Sequence, residues 1–348
     1  MKKMLLIITL LVLLLVPLAV TSSFLLHMFI LIYFYIALSV AWNILALSGN
    51  VSLGHCAFFG IAAYTSAILF IKLGIYPWIG LLAGTGMAIL AAVTMGLPML
   101  RLRGPMFSLA TIAFGEVLRQ IAVTWRDLTA GSEGLTIPFE TGWLYLMFPT
   151  KVPFYYIFLV LALASVYVSY RLYYSAMGYH LRAIAADAEA AQSLGINTSR
   201  VQMAALFWSA GITGVLGVFF TQYVYIIEPE WAFSMMLFSV QPALNGIIGG
   251  IGTVFGPVLG AILMTPLGEY LRTYLGSVHQ GFNFFIYGLI LIGVVMVLPG
   301  GIFPALIPYL KSWGLMSSGP GGANVGSAGK ATPPIPPRTK SSRKEERP

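Results

Sequence analysis

Residues able to do covalent or metal chemistry are few and scattered in this 348-residue chain. The four histidines, His27, His55, His180 and His279, have no spacing that would assemble a metal-ligand set. None of them pairs with a serine, or with the single cysteine Cys56, in a recognisable nucleophile arrangement. One cysteine also excludes an intrachain disulfide. The nearest approach to a phosphate loop is Gly326-Ser327-Ala328-Gly329-Lys330-Ala331. It lacks Ser or Thr after the lysine and has Asn324 where the first glycine should stand. The expectation is a non-enzyme with no catalytic residue, no metal site and no ATPase site of its own.

What remains is polar residues placed where binding or coupling would need them. Between two apolar runs lies a polar, alanine-rich stretch at 175–200 containing Gly178, Arg182, Asp187, Glu189, Ala190, Ala191 and Gly195. Asp187 is a good N-cap ahead of strong helix formers, and Gly195 is a good residue to follow a helix end. The spacing predicts an autonomous two-turn helix outside the membrane, longer than a simple connection requires, and so a docking element for a partner. Ser52, Gly54 and His55, with Phe107, Ser108 and Thr111, bring small polar groups into spans, as a hydrated pathway would need; close packing is the competing reading. For His55 a structural role is favoured. Gly131-Ser132-Glu133-Gly134 could shape a gate, receive a delivering protein, or be a plain glycine turn. Glu116 with Arg119 and Glu269 with Arg272 are spaced i,i+3, which suits local ion pairs. No unpaired carboxylate stands near a midplane, as proton-coupled transport would require.

The elements that must position these residues are transmembrane. Hydrophobic residues make up 58% of the chain and charged residues 9%, against about 25% charged in soluble domains. Apolar runs predict an all-α bundle of about ten spans, near 4–20, 24–47, 53–73, 77–100, 105–124, 153–174, 201–226, 234–251, 254–274 and 282–299. The first is read as an uncleaved span in preference to a signal peptide. The eighth is expected to be broken or re-entrant, because Gln241-Pro242 and Asn245 to Gly250 interrupt it. The formal net charge of +8 suggests positive-inside topology rather than nucleic acid, since Lys/Arg cluster between runs and in the tail. Ten crossings put Lys2, Lys3, Arg101, Arg103, Arg171, Arg182, Arg200 and the tail on one side, so both termini are expected in the cytoplasm. Residues 1–312 are then the membrane domain, and 313–348 a disordered basic tail that could touch lipid. Glycines at span positions such as 214 and 217 indicate tight helix packing. A short internal echo links Gly104-Pro105…Glu116…Arg119 to Gly256-Pro257…Glu269…Arg272.

Glu189-Ala190-Ala191, three residues, then Gly195 resembles the E-A-A-x-x-x-G signature of importer permeases. Four further blocks resemble the branched-chain amino acid ABC transporter permease family: 53–61, 102–111, 129–135 and 249–257, in order, so that the likeness covers about residues 30–300. The chain is similar to the longer of that family's two permeases, an inner-membrane component of type II importers. The family usually has Ala at the position of Cys56, and the basic tail is not a general feature of it. The resemblance implies a bacterial cytoplasmic-membrane subunit that pairs with a second homologous permease. It implies two cytoplasmic ATPases using ATP and Mg, and a periplasmic substrate-binding protein. Residues 189–195 would then be the coupling helix. The implied substrates are branched-chain or other neutral amino acids, with urea, short amides or aromatic acids as alternatives. An ion-coupled transporter or channel is the reading of a different class.

Overall fold

The computed structural model describes residues 11–18, 20, 22–102, 104–275 and 300–312, with scattered positions between 286 and 298. The long helices are α1 Ser23–Ala46, α2 His55–Leu73, α3 Pro77–Met99, α4 Pro105–Thr124, α6 Val152–Tyr173 and α9 Thr198–Val224. Between them lie the short helices α5 Arg126–Thr129, α7 Ala176–Ala186, α8 Ala188–Ser193 and α10 Pro229–Ala232. The chain continues through α11 Gln241–Gly250, α12 Gly256–Leu275 and α13 Ile302–Ser312. Strand β1 Leu135–Thr136 pairs antiparallel with β2 Ile226–Ile227.

Local punctuation sets these boundaries. Helices α3, α4 and α6 each have a proline in the first turn, where its missing N–H is one the helix could not have used. Helix α2 stops at Gly74, which takes a left-handed φ of +64°. Asn197 opens α9, its Oδ1 accepting from the Arg200 amide at 3.0 Å.

Among the described residues, seven helical runs are long and apolar enough to cross a membrane: α1, α2, α3, α4, α6, α9 and Pro229–Gly250, which joins α10 to α11. The expected all-α, multi-pass architecture is therefore present. Helix α12 has the length but carries Pro266, Glu269 and Arg272, and is not among the seven. Of the expected first span, residues 11–18 are helical; most of the tenth, and the tail, lie outside the described residues, as do Lys2, Lys3 and Arg103. The eighth span differs from expectation. Met235 to Gly250 is continuously helical, with a π-helical turn at Met236–Val240 directly before Pro242. Pro242 has no N–H to give to the preceding turn, and widening the ladder there lets the helix absorb it without breaking.

Successive long helices alternate in direction, so the connections gather at two ends. One end carries the α1–α2 turn, Arg101, the α7–α8 pair and the 251–255 turn. Gly49 of the first turn rests on Ala185 of α7, where a Cβ on it would lie 3.4 Å from the Ala185 Cα. The other end carries residues 125–151 and 225–234, folded into a lid on which Leu135, Ile137, Leu146 and Met147 are buried. Inside the bundle, Phe34 stacks on Phe220 at 4.2 Å between ring centroids and Phe59 on Phe238 at 3.8 Å. Trp231 of α10 closes the stack over Phe220. Offset and edge-on rings of this kind fill space densely, so the interior of the chain is packed through its middle. Helix α1 sits at the centre of this packing, and α4 is the least buried of the seven.

The sequence echo has a structural counterpart. Helices α4 and α12 each run 20 residues from the α7 end towards the lid end. Each holds an i,i+3 ion pair, Glu116–Arg119 and Glu269–Arg272.

Candidate functional site

The 175–200 segment forms two helices rather than one. After α6 the chain reverses at Ser175, whose hydroxyl accepts from the Gly178 amide. A side chain at 178 would collide with the carbonyl oxygens of Leu172 and Tyr173, 2.4 Å from its Cβ, so glycine permits this reversal. Leu181 and Ile184 then bury α7 against the bundle. Arg182 lies over the rings of Tyr173 and Tyr179, at 4.1 and 4.6 Å from their centroids.

Asp187 separates the two helices. Its Oδ1 accepts from the amides of Glu189 and Ala190 at 2.9 and 3.0 Å, capping α8. Glu189 occupies the first turn, where a carboxylate favours the helix dipole. Ala191 is the buried anchor, while Ala190 and the adjoining Leu194 are exposed, Leu194 at 83%. Gly195 ends the helix at φ +86°, and the Ile196 amide closes back on the Ala191 carbonyl at 3.1 Å. Gln192 Nε2 donates to Thr198 Oγ1 at 2.9 Å, fastening α8 to α9. The predicted caps are thus both in place, and they hold a small rigid knob against the bundle end.

The six pathway candidates lie together around the α1–α2 turn. Residues 50–54 are non-helical and buried or half-buried, so their backbone groups need partners within the protein. Trp42 Nε1 donates to the Ser52 carbonyl at 2.7 Å, and Ser108 Oγ to that of Val51 at 2.6 Å. The Leu53 amide donates to Thr111 Oγ1 at 3.0 Å, and the Gly54 amide to Ser52 Oγ at 3.3 Å. His55 is fully buried, with Nε2 2.7 Å from Ser209 Oγ, and Phe107 is fully buried in the adjoining core. The side chains of Trp42, Ser52, Ser108 and Thr111 thus satisfy an unwound stretch of backbone.

The gate candidates lie in the lid. Gly131–Glu133 make a single 3-10 turn, with Gly131 buried and Ser132 and Glu133 exposed. Thr129 Oγ1 donates to the Ala122 carbonyl at 2.6 Å, pinning the turn to α4. Gly134 leads into β1, and Arg119 on α4 pairs with both Glu116 and Glu230 of α10. Sequence spacing found the first partner; the second is 111 residues away and gave no local signal. Also in the lid, the Glu140 carboxylate beside Tyr145 pushes that phenol up, and burial does the same for Tyr225. Among the described residues no His, Cys, Asp and Glu cluster could hold a metal.

Seven apolar, bilayer-length helical runs among the described residues, with a folded lid at one end and a capped helix pair at the other, define a multi-pass membrane protein. The chain belongs to the family described as "Branched-chain amino acid transport system / permease component", which matches residues 24–298. It is 29% identical over 307 residues to the high-affinity branched-chain amino acid transport system permease protein LivM of Escherichia coli (strain K12), covering 80% of this chain and 69% of that protein. It is 30% identical over 146 residues to the high-affinity branched-chain amino acid transport system permease protein LivH of Salmonella typhimurium, covering 42% of this chain and 46% of that protein. The autoinducer 2 import system permease protein LsrC of Salmonella choleraesuis is 29% identical over 141 residues, 40% and 39% of the two chains. No solved structure matches the chain.

Proposed function

We propose that the chain is the longer of two permeases in an ATP-driven importer of branched-chain or other neutral amino acids, in a bacterial cytoplasmic membrane. The observation that carries this is the α7–α8 pair, in which Glu189-Ala190-Ala191…Gly195 is capped at both ends and presented outward. In this reading two ATPase subunits, using ATP and Mg, seat α8 at the cytoplasmic end. A periplasmic binding protein engages the lid around Gly131, Ser132, Glu133 and Gly134. The basic residues of the α7 end, Arg101, Arg171, Arg182 and Arg200, suit a cytoplasmic face.

The packed interior bears on the route. The aromatic stack and the hydrogen-bonded 50–54 stretch fill the space a pore within the chain would use. In this reading the substrate path runs between this chain and a second permease, which the packed interior supports. Helix α4 is the candidate wall, since Met106, Leu109, Val117 and Ile121 are exposed on it. Movement of α7–α8 would reach the core through Leu181, and α4 would carry it to the lid through Arg119 and Glu230. The likeness to LsrC supports a second reading of the cargo, in which the same architecture moves another small polar solute.

The test is co-purification of the ATPases with Gly195→Pro and Ala191→Asp variants that reach the membrane at normal levels. Loss of the ATPases in both supports α8 as their seat. Full retention in both would refute it and favour an ion-coupled transporter.

A further inference from the structure

We propose that the groove between α3 and α9 binds one anionic phospholipid. Two cavities meet there. The first, about 540 Å³, opens at the α7 end and is lined by Leu97, Arg101, Arg200 and Met203, among others. The second, about 300 Å³, continues towards the lid end between α3, α6 and α9, along Ile89, Leu161, Val168 and Val215. Phe207 and Trp208 line both, so the two adjoin along α9.

The groove has the polarity of a lipid. Helices α3 and α9 are antiparallel, which brings Arg101, just past the end of α3, level with Arg200 in the first turn of α9. Neither guanidinium is held by a carboxylate among the described residues. A guanidinium matches the oxygens of a phosphate with paired charge-assisted hydrogen bonds. From Arg200 to Val215 the groove follows fifteen residues of helix, about 22 Å at 1.5 Å per residue. That exceeds the roughly 15 Å of hydrocarbon in one leaflet, half of a ~30 Å core. The charged mouth and the apolar continuation ask for a phosphate and an acyl chain in one molecule. An apolar protein helix seated here would leave both guanidiniums desolvated without a counter-charge, which is costly. A free phosphate would leave the deeper cavity unfilled. A zwitterionic headgroup brings its own cation and competes with the arginines, so the net-anionic headgroup is preferred.

The test uses Trp208 as the reporter. The transporter, with the subunits that purify with it, is placed in nanodiscs. Brominated phosphatidylglycerol or brominated phosphatidylcholine is titrated in, and the quenching specific to Trp208 is taken by difference from a Trp208→Phe variant. Each guanidinium near an anionic headgroup is worth about fivefold, so phosphatidylglycerol should quench at a mole fraction on the order of 20-fold lower. An Arg101→Gln, Arg200→Gln double variant with unchanged thermal stability should bring the two lipids to parity, and inorganic phosphate should leave the preference intact. Equal quenching by both lipids in the unaltered chain would overturn the proposal. So would no quenching by either, which would place protein over the groove, or displacement by phosphate alone.

Discussion

Replacing Asp187 isolates what holds α8 together. This helix has six residues, well short of the ~12–15 that an isolated helix needs to be stable in water. Its register rests on a few amides: Ala191 to the Asp187 carbonyl at 3.0 Å, Leu194 to Ala190 and Ile196 to Ala191, both at 3.1 Å. The Asp187 carboxylate adds two more, satisfying donors that the helix itself cannot. Losing a cap of this kind to alanine costs about 1 kcal/mol, or close to fivefold in the local folding equilibrium. Amide exchange in the 187–196 segment should therefore speed up about fivefold in Asp187→Ala, while exchange in α9 stays unchanged. If the ATPases recognise only the formed helix, their apparent dissociation constant should rise by up to the same factor. Asparagine caps about as well as aspartate but carries no charge, so Asp187→Asn should restore protection. If Asp187→Asn exchanges as fast as Asp187→Ala, the charge and not the cap holds the segment, and the reasoning fails.

Other perturbations probe the remaining parts. Gly195→Ala meets nothing within 4 Å of its new Cβ, so only the left-handed backbone resists it, at about 1–2 kcal/mol; Gly195→Asn should be milder in the same exchange experiment. Thr111→Val removes the acceptor of the Leu53 amide and should cost about 1–3 kcal/mol, read as a thermal shift of the purified chain in detergent. Ser108→Ala leaves an unpaired carbonyl that is less demanding, and should cost less in the same assay. Glu230→Gln breaks a bridge whose carboxylate is 69% exposed, so stability should change by less than about 1 kcal/mol; any larger loss of transport would locate its role in lid movement.

Much of this architecture is legible in the sequence because its causes are local. Apolar length marks the spans, and Pro77, Pro105 and Gly74 mark their ends through backbone chemistry alone. Asp187 and Gly195 are readable for the same reason, since a cap acts on the next two or three residues. The α7 helix was hidden because its inward side chains, Leu181 and Ile184, are sparse within a polar stretch. Pro242 misled because a π-helical turn can absorb a proline that would otherwise break the helix. The pathway candidates show the firmest limit. Residue type marks Ser52, Ser108 and Thr111 as polar groups in a span, but only their neighbours reveal that they pair with unwound backbone. His55 meets Ser209, and Arg119 meets Glu230, across separations that no periodicity encodes.

Reconstituted transport addresses the central claim most directly. The chain would be placed in proteoliposomes with a second permease, its ATPases and a binding protein, and radiolabelled leucine accumulation followed with and without ATP on the α7 side. The account predicts accumulation against a gradient that requires ATP and is lost in Gly195→Pro. Accumulation that proceeds without ATP, or that Gly195→Pro leaves intact, would contradict it.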